Sequence, residues 1–496
     1  MTISTIAGLL DHCAAERPNR PLLLDVAGAT LTVSQVADLS SAANRWLRDA
    51  GVRPGMTVAW QLPSHVNAAV TMLALSRMSV TQAPVLHLYR QREVSTALDV
   101  AGADILLADP STADNAPDDI PTVVIPDDFL ERLRATPRPE SEPDGPRTAT
   151  DPHWVYFTSG TTGRPKGVMH TDASLLNASR GFVSHLGLGS HPDEVGNIAF
   201  PIAHVGGIIY VVATLLGDFP ALLIPKVSVE ELPGLLAEHR VTVSGASTAF
   251  YQMLVAAQIA AATDELLMPS LRMLVGGGAA CPPEVHHQVR RRLGIRVVHA
   301  YGMTEAPMIC VSEATDTDEQ LAGSAGRPIP GSQVRIAPSG EIEVRGDNLA
   351  AGYVDTEQWE RALTADGWFR TGDRGHLRPD GRIVVTGRTK DLIIRKGENI
   401  APDEIENELL AHPLVDDIAV LGQPDELRGE LVCAVVRRSP RHRDVTLDEL
   451  CAFLDDRGLM KQKWPERLVI VDEFPVTGLG KVAKSELARQ ITGGNP

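Results

Sequence analysis

The strongest constraint on this chain is a repeated change of hydrophobic period. Val36, Leu39, Ala43, Trp46 and Leu47 fall on one helical face that stops at Gly51, and a short extended run follows at 57–62. Helical stretches at 66–78 and 93–100 and an apolar run at 105–107 continue the alternation. It resumes between 154 and 300, where extended runs at 221–224, 241–243, 273–275 and 295–299 separate helical stretches. Elements that alternate in this way cover the faces of sheets with helices, so the fold class is α/β, in stacked layers. Between the two series, residues 137–150 carry four prolines and no core hydrophobe, which predicts an exposed connector between two subdomains. Beyond 330 the pattern changes to hairpins turning at Pro338-Ser339-Gly340 and Pro379-Asp380-Gly381, a β-rich subdomain. A compact α+β unit follows from about 390. No long internal repeat is present, which excludes a solenoid.

Composition narrows the partners. A chain of 496 residues is long enough for about three folding units or two unequal domains. With 46 basic against 63 acidic residues the net charge is −17, so nucleic acid is excluded as the main partner. The longest apolar run, 205–217, ends at Asp218, short of the roughly 18 residues that a membrane span needs. The N-terminus has no basic start before its apolar patch, so a cytoplasmic protein is expected. Five cysteines, at 13, 281, 310, 433 and 451, show no Cys-x-x-Cys spacing, which argues against a zinc site or a disulfide framework.

Of the 46 basic residues only eight are lysines, at 166, 226, 390, 396, 461, 463, 481 and 484. A chain that otherwise uses arginine marks each lysine as a candidate for work that needs a compact ammonium. Five of the eight lie in three short segments, 156–170, 388–400 and 476–484. A frayed, lysine-rich terminus accounts for Lys484 but not for Lys166, Lys390 and Lys396.

The first segment, from Tyr156 to Gly167, holds Thr158, Ser159, Gly160, Thr161, Thr162 and Lys166 after an apolar stretch. Glycines let backbone N–H groups approach an anion, hydroxyls donate hydrogen bonds and the lysine supplies a point charge, so this is a phosphate-embracing loop. It is not a Walker A loop, because Pro165 precedes the lysine and Gly167 follows it. A second cluster, Tyr301-Gly302-Met303-Thr304-Glu305, follows the extended run 295–299, where open α/β sheets bind ligands. An aromatic face stacks a base, a threonine reaches a phosphate, and a lone carboxylate suits Mg²⁺, which keeps several waters. An ordinary strand-to-helix turn explains the same five residues equally well. Asp373, in Gly367 to Asp373, is a candidate for two ribose hydroxyls or a turn cap. Arg388 opens a charged stretch through Lys390 to Lys396 and Gly397, and Lys481 sits in a glycine-bearing loop.

In this order the segments resemble the adenylate-forming superfamily of acyl-CoA synthetases, firefly-type luciferases and peptide-synthetase adenylation domains. The likeness spans residues 154–484. It implies a large N-terminal domain, 1–389, and a small mobile C-terminal domain, 390–496, with a hinge near Lys390. It further implies that Thr158 to Lys166 hold the ATP phosphates, that Gly276-Gly277-Gly278-Ala279-Ala280 line the adenine and acyl sites, and that Tyr301 stacks on adenine. By the same resemblance Gly302 joins the nucleotide and acyl sites, Thr304 contacts the α-phosphate, Glu305 holds Mg²⁺, Asp373 binds ribose and Arg388 lies near ribose and phosphate. Lys481 corresponds to the lysine that bridges carboxylate and α-phosphate. Lys226, Lys396 and Gly397 correspond to positions where relatives hold coenzyme A, and His204 and Gly207 lie beside the acyl pocket.

The activity implied is the activation of a carboxylic acid by ATP to an acyl-adenylate, then transfer to the thiol of coenzyme A with release of AMP and pyrophosphate. Val205 after His204 departs from amino-acid-activating and hydroxybenzoate-activating branches, and only fifteen residues follow Lys481, so no fused carrier domain is expected. A ligase that loads a carrier-protein phosphopantetheine and a non-catalytic nucleotide sensor are the alternatives. Ala280 stands where many relatives have proline, and the glycine run leaves a roomier wall, which points to an aliphatic, alicyclic or bulky polycyclic acid.

Overall fold

The computed structural model describes residues 3–26, 28–136, 148–158, 165–226, 228, 230–245, 247–277, 281–395, 398–425, 429–477 and 481–493. The helical face read from Val36 to Leu47 is the helix Val33–Asp49, started by Thr32, whose hydroxyl accepts from Gln35 N–H while the Gln35 side chain accepts from Thr32 N–H. The stretches at 66–78 and 93–100 are the helices Val66–Leu75 and Gln91–Ala101. The apolar run 205–217 is the helix Val205–Gly217, buried along nearly its whole length as its all-round hydrophobicity requires. No helix among the described residues is long and apolar enough to cross a membrane.

Two sheets make the α/β layers. One has seven strands in the order 352–353, 166–170, 154–158, 81–84, 57–61, 105–108 and 122–124, and the five from 154–158 onward run parallel. The other has nine, and its centre, 296–301, 273–276, 243–244, 196–198 and 221–223, is parallel. Helices lie between the sheets, and one core joins Trp60 of the first to Leu23 and Met273 of the second through Leu73, Leu176 and Val211.

The expected boundary at 137–150 does not separate two subdomains. Strand Thr81–Pro84 pairs with Trp154–Thr158 across the connector, and Pro21–Asp25 joins the second sheet beside Ala221–Leu223. Hydrophobic period is a local property, and it carries no information on which sheet a strand enters.

Both hairpins form as read, with Gly340 at φ +83° and Gly381 at φ +80°, and they build a four-stranded antiparallel sheet from 332–336, 341–346, 369–377 and 383–388. The C-terminal unit has a separate core of Ile393, Ile405, Leu409, Val420, Val432 and Leu450 under its own sheet. Lys484 is not frayed. It opens the helix Lys484–Gly493 and its Nζ lies 2.7 Å from Glu406 Oε1 and 3.6 Å from Asp403 Oδ1.

Candidate active site

Tyr301 is the last residue of the strand Arg296–Tyr301, at the carboxyl end of the parallel array. Its hydroxyl donates to Asp373 Oδ2 at 2.8 Å, and both side chains are buried. Asp373 and Arg388 are directly opposed in the register of Phe369–Leu377 and Ile383–Arg388, which places Arg388 Nε 3.2 Å from Asp373 Oδ1. Burial raises the Asp373 carboxyl above its ordinary value, against Arg388, the Tyr301 hydrogen bond and Lys481, which pull it down. Burial and then the Asp373 charge push the Tyr301 phenol well up, so it stays a donor at neutral pH.

Lys481, on the C-terminal unit, lies within electrostatic range of this group. Its loop is closed by Thr477 N–H donating to Lys481 O at 2.7 Å and Lys481 N–H donating to Thr477 Oγ1 at 3.3 Å. Burial lowers the ammonium to about 8, Arg388 adding to the fall and Asp373 opposing it. The same charge reaches His204, whose imidazole burial lowers to about 4. His204 is therefore neutral near pH 7; its Nδ1 accepts from Gly206 N–H at 3.0 Å as the cap of helix Val205–Gly217, and its ring stacks on Phe200 at 5.4 Å.

A second group surrounds Glu305. Lys166 begins the strand Lys166–His170 opposite Thr158, and its Nζ lies over the ring of Tyr353, 4.6 Å from the centroid. The Tyr353 hydroxyl donates to Glu305 Oε1 at 2.7 Å, and Ala350 N–H donates to Glu305 O at 2.7 Å. Thr304 is anchored through its carbonyl, which lies 2.7 Å from His170 Nε2, while His170 Nδ1 meets Ser174 Oγ at 2.9 Å. His170 is fully buried, and burial takes it down to about 4 despite the Thr304 carbonyl, so a neutral imidazole donates there. The donors near Glu305 suit Mg²⁺ that takes its remaining ligands from phosphate and water: one buried carboxylate and a neighbouring threonine, with no cluster of three metal-ligating side chains among the described residues.

The glycines have packing reasons of their own. A Cβ on Gly207 would sit 2.5 Å from Ile202 O, one on Gly302 2.6 Å from Met308 N, and one on Gly277 2.3 Å from Ala300 O. Each marks a close backbone approach. Lys226 is exposed after the strand Ala221–Leu223, and no contact among the described residues joins it to Lys166 or Lys481. Ser159, Gly160, Thr161, Thr162, Gly278, Ala279, Lys396 and Gly397 lie outside the described residues, as does the side chain of Lys390.

Tyr353, His170 and Phe200 were not singled out by sequence. Tyr353 had one signal, its membership of a set of only six tyrosines, two of which stand in the site. His170 had none, because its task is to hold a carbonyl 134 residues away.

Residues 10–354 match the family described as AMP-binding enzyme, and residues 404–481 match the AMP-binding enzyme C-terminal domain. The chain is 32% identical to a feruloyl-CoA synthase of Amycolatopsis sp, covering 94% of each chain. It is 28% identical to the medium-chain fatty-acid–CoA ligase of Escherichia coli strain K12, covering 98% of this chain and 90% of that one. Its fold superposes on ATP-bound MatB from Rhodopseudomonas palustris with a TM-score of 0.86, at 27% identity and 98% coverage of both. With the first match alone spanning more than half of its length, this chain belongs to the AMP-binding enzyme family.

Proposed function

We propose that this protein is an AMP-forming acid–thiol ligase: it activates a carboxylic acid with ATP to an acyl-adenylate and passes the acyl group to the thiol of coenzyme A. The observation that carries the reading is the Asp373 carboxylate held by Tyr301 and Arg388, with Lys481 of the C-terminal unit within electrostatic range of it and of His204.

A carboxylate attacks poorly at the α-phosphorus because both partners are anionic. A half-buried ammonium between them offsets that repulsion where charge develops. Asp373, held at both oxygens by Tyr301 and Arg388, is oriented to accept from ribose hydroxyls. Lys166 and the loop from Thr158 would take the triphosphate, with Tyr301 stacked on adenine and Thr304 at the α-phosphate. Glu305 would hold Mg²⁺, which neutralises the pyrophosphate as it leaves. Neutral His204 and the Phe200 ring suit an uncharged acyl tail, in keeping with an aliphatic, alicyclic or bulky polycyclic acid.

In the second half-reaction the C-terminal domain, 390–496, would turn about a hinge at Lys390 against the N-terminal domain, 1–389. That turn withdraws Lys481 and brings Lys396 and Gly397, with Lys226, toward coenzyme A. The separate core of the C-terminal unit supports such a rigid-body motion. In this reading the enzyme works in the cytoplasm, where ATP, Mg²⁺ and coenzyme A are at hand.

The test is AMP release over a panel of aliphatic, aromatic and polycyclic acids, with and without coenzyme A. Release that depends on coenzyme A and yields a thioester supports the ligase. Adenylate without turnover of coenzyme A points to a carrier-loading enzyme, and ATP binding without turnover to a sensor.

A further inference from the structure

Three residues from distant parts of the chain form one relay. Lys166 Nζ lies 3.5 Å from the Tyr353 hydroxyl as a donor, and that hydroxyl donates in turn to Glu305 Oε1 at 2.7 Å. The strand register explains why they meet. Tyr353 pairs with Val168 across antiparallel strands, and Lys166 stands two residues from Val168, on the same face. A diagonal neighbour at that spacing is within reach of a long side chain. The tyrosine ring is fixed from the other side. It is 2% exposed and meets Trp359 edge-on at 5.2 Å, and Trp359 stacks on Phe369 of the strand that carries Asp373.

An ammonium and a buried carboxylate this close to one hydroxyl would ordinarily collapse into a direct ion pair. Here the Tyr353 hydroxyl stands between them. Lys166 is held by the ring face and the hydroxyl oxygen, Glu305 by the hydroxyl proton, and among the described residues neither makes an ion pair. Each therefore keeps its charge available to a third party.

We propose that Tyr353 is a positioning residue for adenylation: it keeps Lys166 and Glu305 apart and aimed, so that one meets the triphosphate and the other its Mg²⁺. The proposal rests on the ligase reading above for the identity of that third party. Its hydroxyl satisfies one oxygen of a carboxylate that is only 5% exposed, leaving the remaining lone pairs for the ion.

The test is Tyr353→Phe, which keeps the ring against Trp359 and removes only the hydroxyl. Mn²⁺ binding to enzyme with α,β-methylene-ATP, followed by electron paramagnetic resonance, is expected to weaken about tenfold, the loss expected for a hydrogen bond to a charged group. The Mg²⁺ concentration for half-maximal AMP formation should rise to match, with the rate recovered at high Mg²⁺. Thioester formation from supplied acyl-adenylate should not change. Unchanged Mn²⁺ affinity overturns the proposal, and so does an equal fall in both half-reactions, which would mark a merely structural role. In the background of Glu305→Gln, Tyr353→Phe should add less than twofold, and full additivity overturns the coupling. Failure of the wild-type enzyme to release AMP with any acid would instead sink the ligase reading, which the Mn²⁺ measurement leaves separate.

Discussion

The Tyr301 hydroxyl donates to Asp373 Oδ2 at 2.8 Å across 72 residues of sequence, and this bond joins the end of a parallel α/β strand to the antiparallel sheet beside it. The carboxylate is thereby gripped between a phenol and a guanidinium. Removing the phenol hydroxyl should free Asp373 to turn and raise its pKa further, since that hydrogen bond opposes the effect of burial. Tyr301→Phe is expected to weaken ATP binding about tenfold, and Asp373→Asn by more, in calorimetric titration with ATP. Equal affinity in both variants and the wild type would remove Asp373 from the nucleotide site.

Lys481 should separate the half-reactions. Lys481→Ala is expected to lower acid-dependent exchange of pyrophosphate with ATP by at least about 10²-fold, the scale of losing one preorganised group at a developing charge. Thioester formation from supplied acyl-adenylate should survive. Equal loss of both would contradict a role confined to adenylation.

The pH profile follows from the same lysine. Its ammonium is the working form, and burial and Arg388 lower it to about 8, so the charge disappears as pH rises through 8. The kcat/KM for adenylation should therefore fall above about pH 8, well below where an ordinary lysine deprotonates. A flat profile to pH 10 would show that Lys481 is not required charged. The neutral His204 and His170 titrate near 4 and should leave no inflection between 6 and 8.

Gly207, which the family resemblance puts beside the acyl pocket, tests whether such a glycine is there for room or for packing. A Cβ would stand 2.5 Å from Ile202 O and 2.6 Å from Ile202 Cα, and backbone cannot swing aside as a side chain can. Gly207→Ala is expected to cost about 1–3 kcal/mol and lower the melting temperature, without narrowing the range of acids accepted. A stable variant that discriminates against bulky acids would assign the position to the pocket instead.

His170 links fold to site. His170→Leu leaves the Thr304 carbonyl without its buried donor and should cost about 2–3 kcal/mol in denaturant unfolding. Because that carbonyl anchors the residue beside Glu305, the Mg²⁺ requirement for AMP formation should rise as well. Loss of stability with unaltered Mg²⁺ dependence would confine His170 to packing.

What the sequence determined alone was whatever local chemistry dictates. The period changes announced the helices Val33–Asp49 and Val66–Leu75, and Pro-x-Gly and Pro-Asp-Gly announced the two hairpins, because each rests on residues a few positions apart. Tyr301, Asp373 and Arg388 were legible as members of short segments, and the structure brings these three together. Only the tertiary structure decided how the segments meet. Pro21–Asp25 lies beside Ala221–Leu223, the connector at 137–150 divides no sheet, and Lys481 comes within electrostatic range of Asp373 from the C-terminal unit. Tyr353 stayed hidden for the same reason. Its partners Lys166 and Glu305 stand 187 and 48 residues away, and only the register of paired strands and the close packing of a buried loop bring one hydroxyl between them.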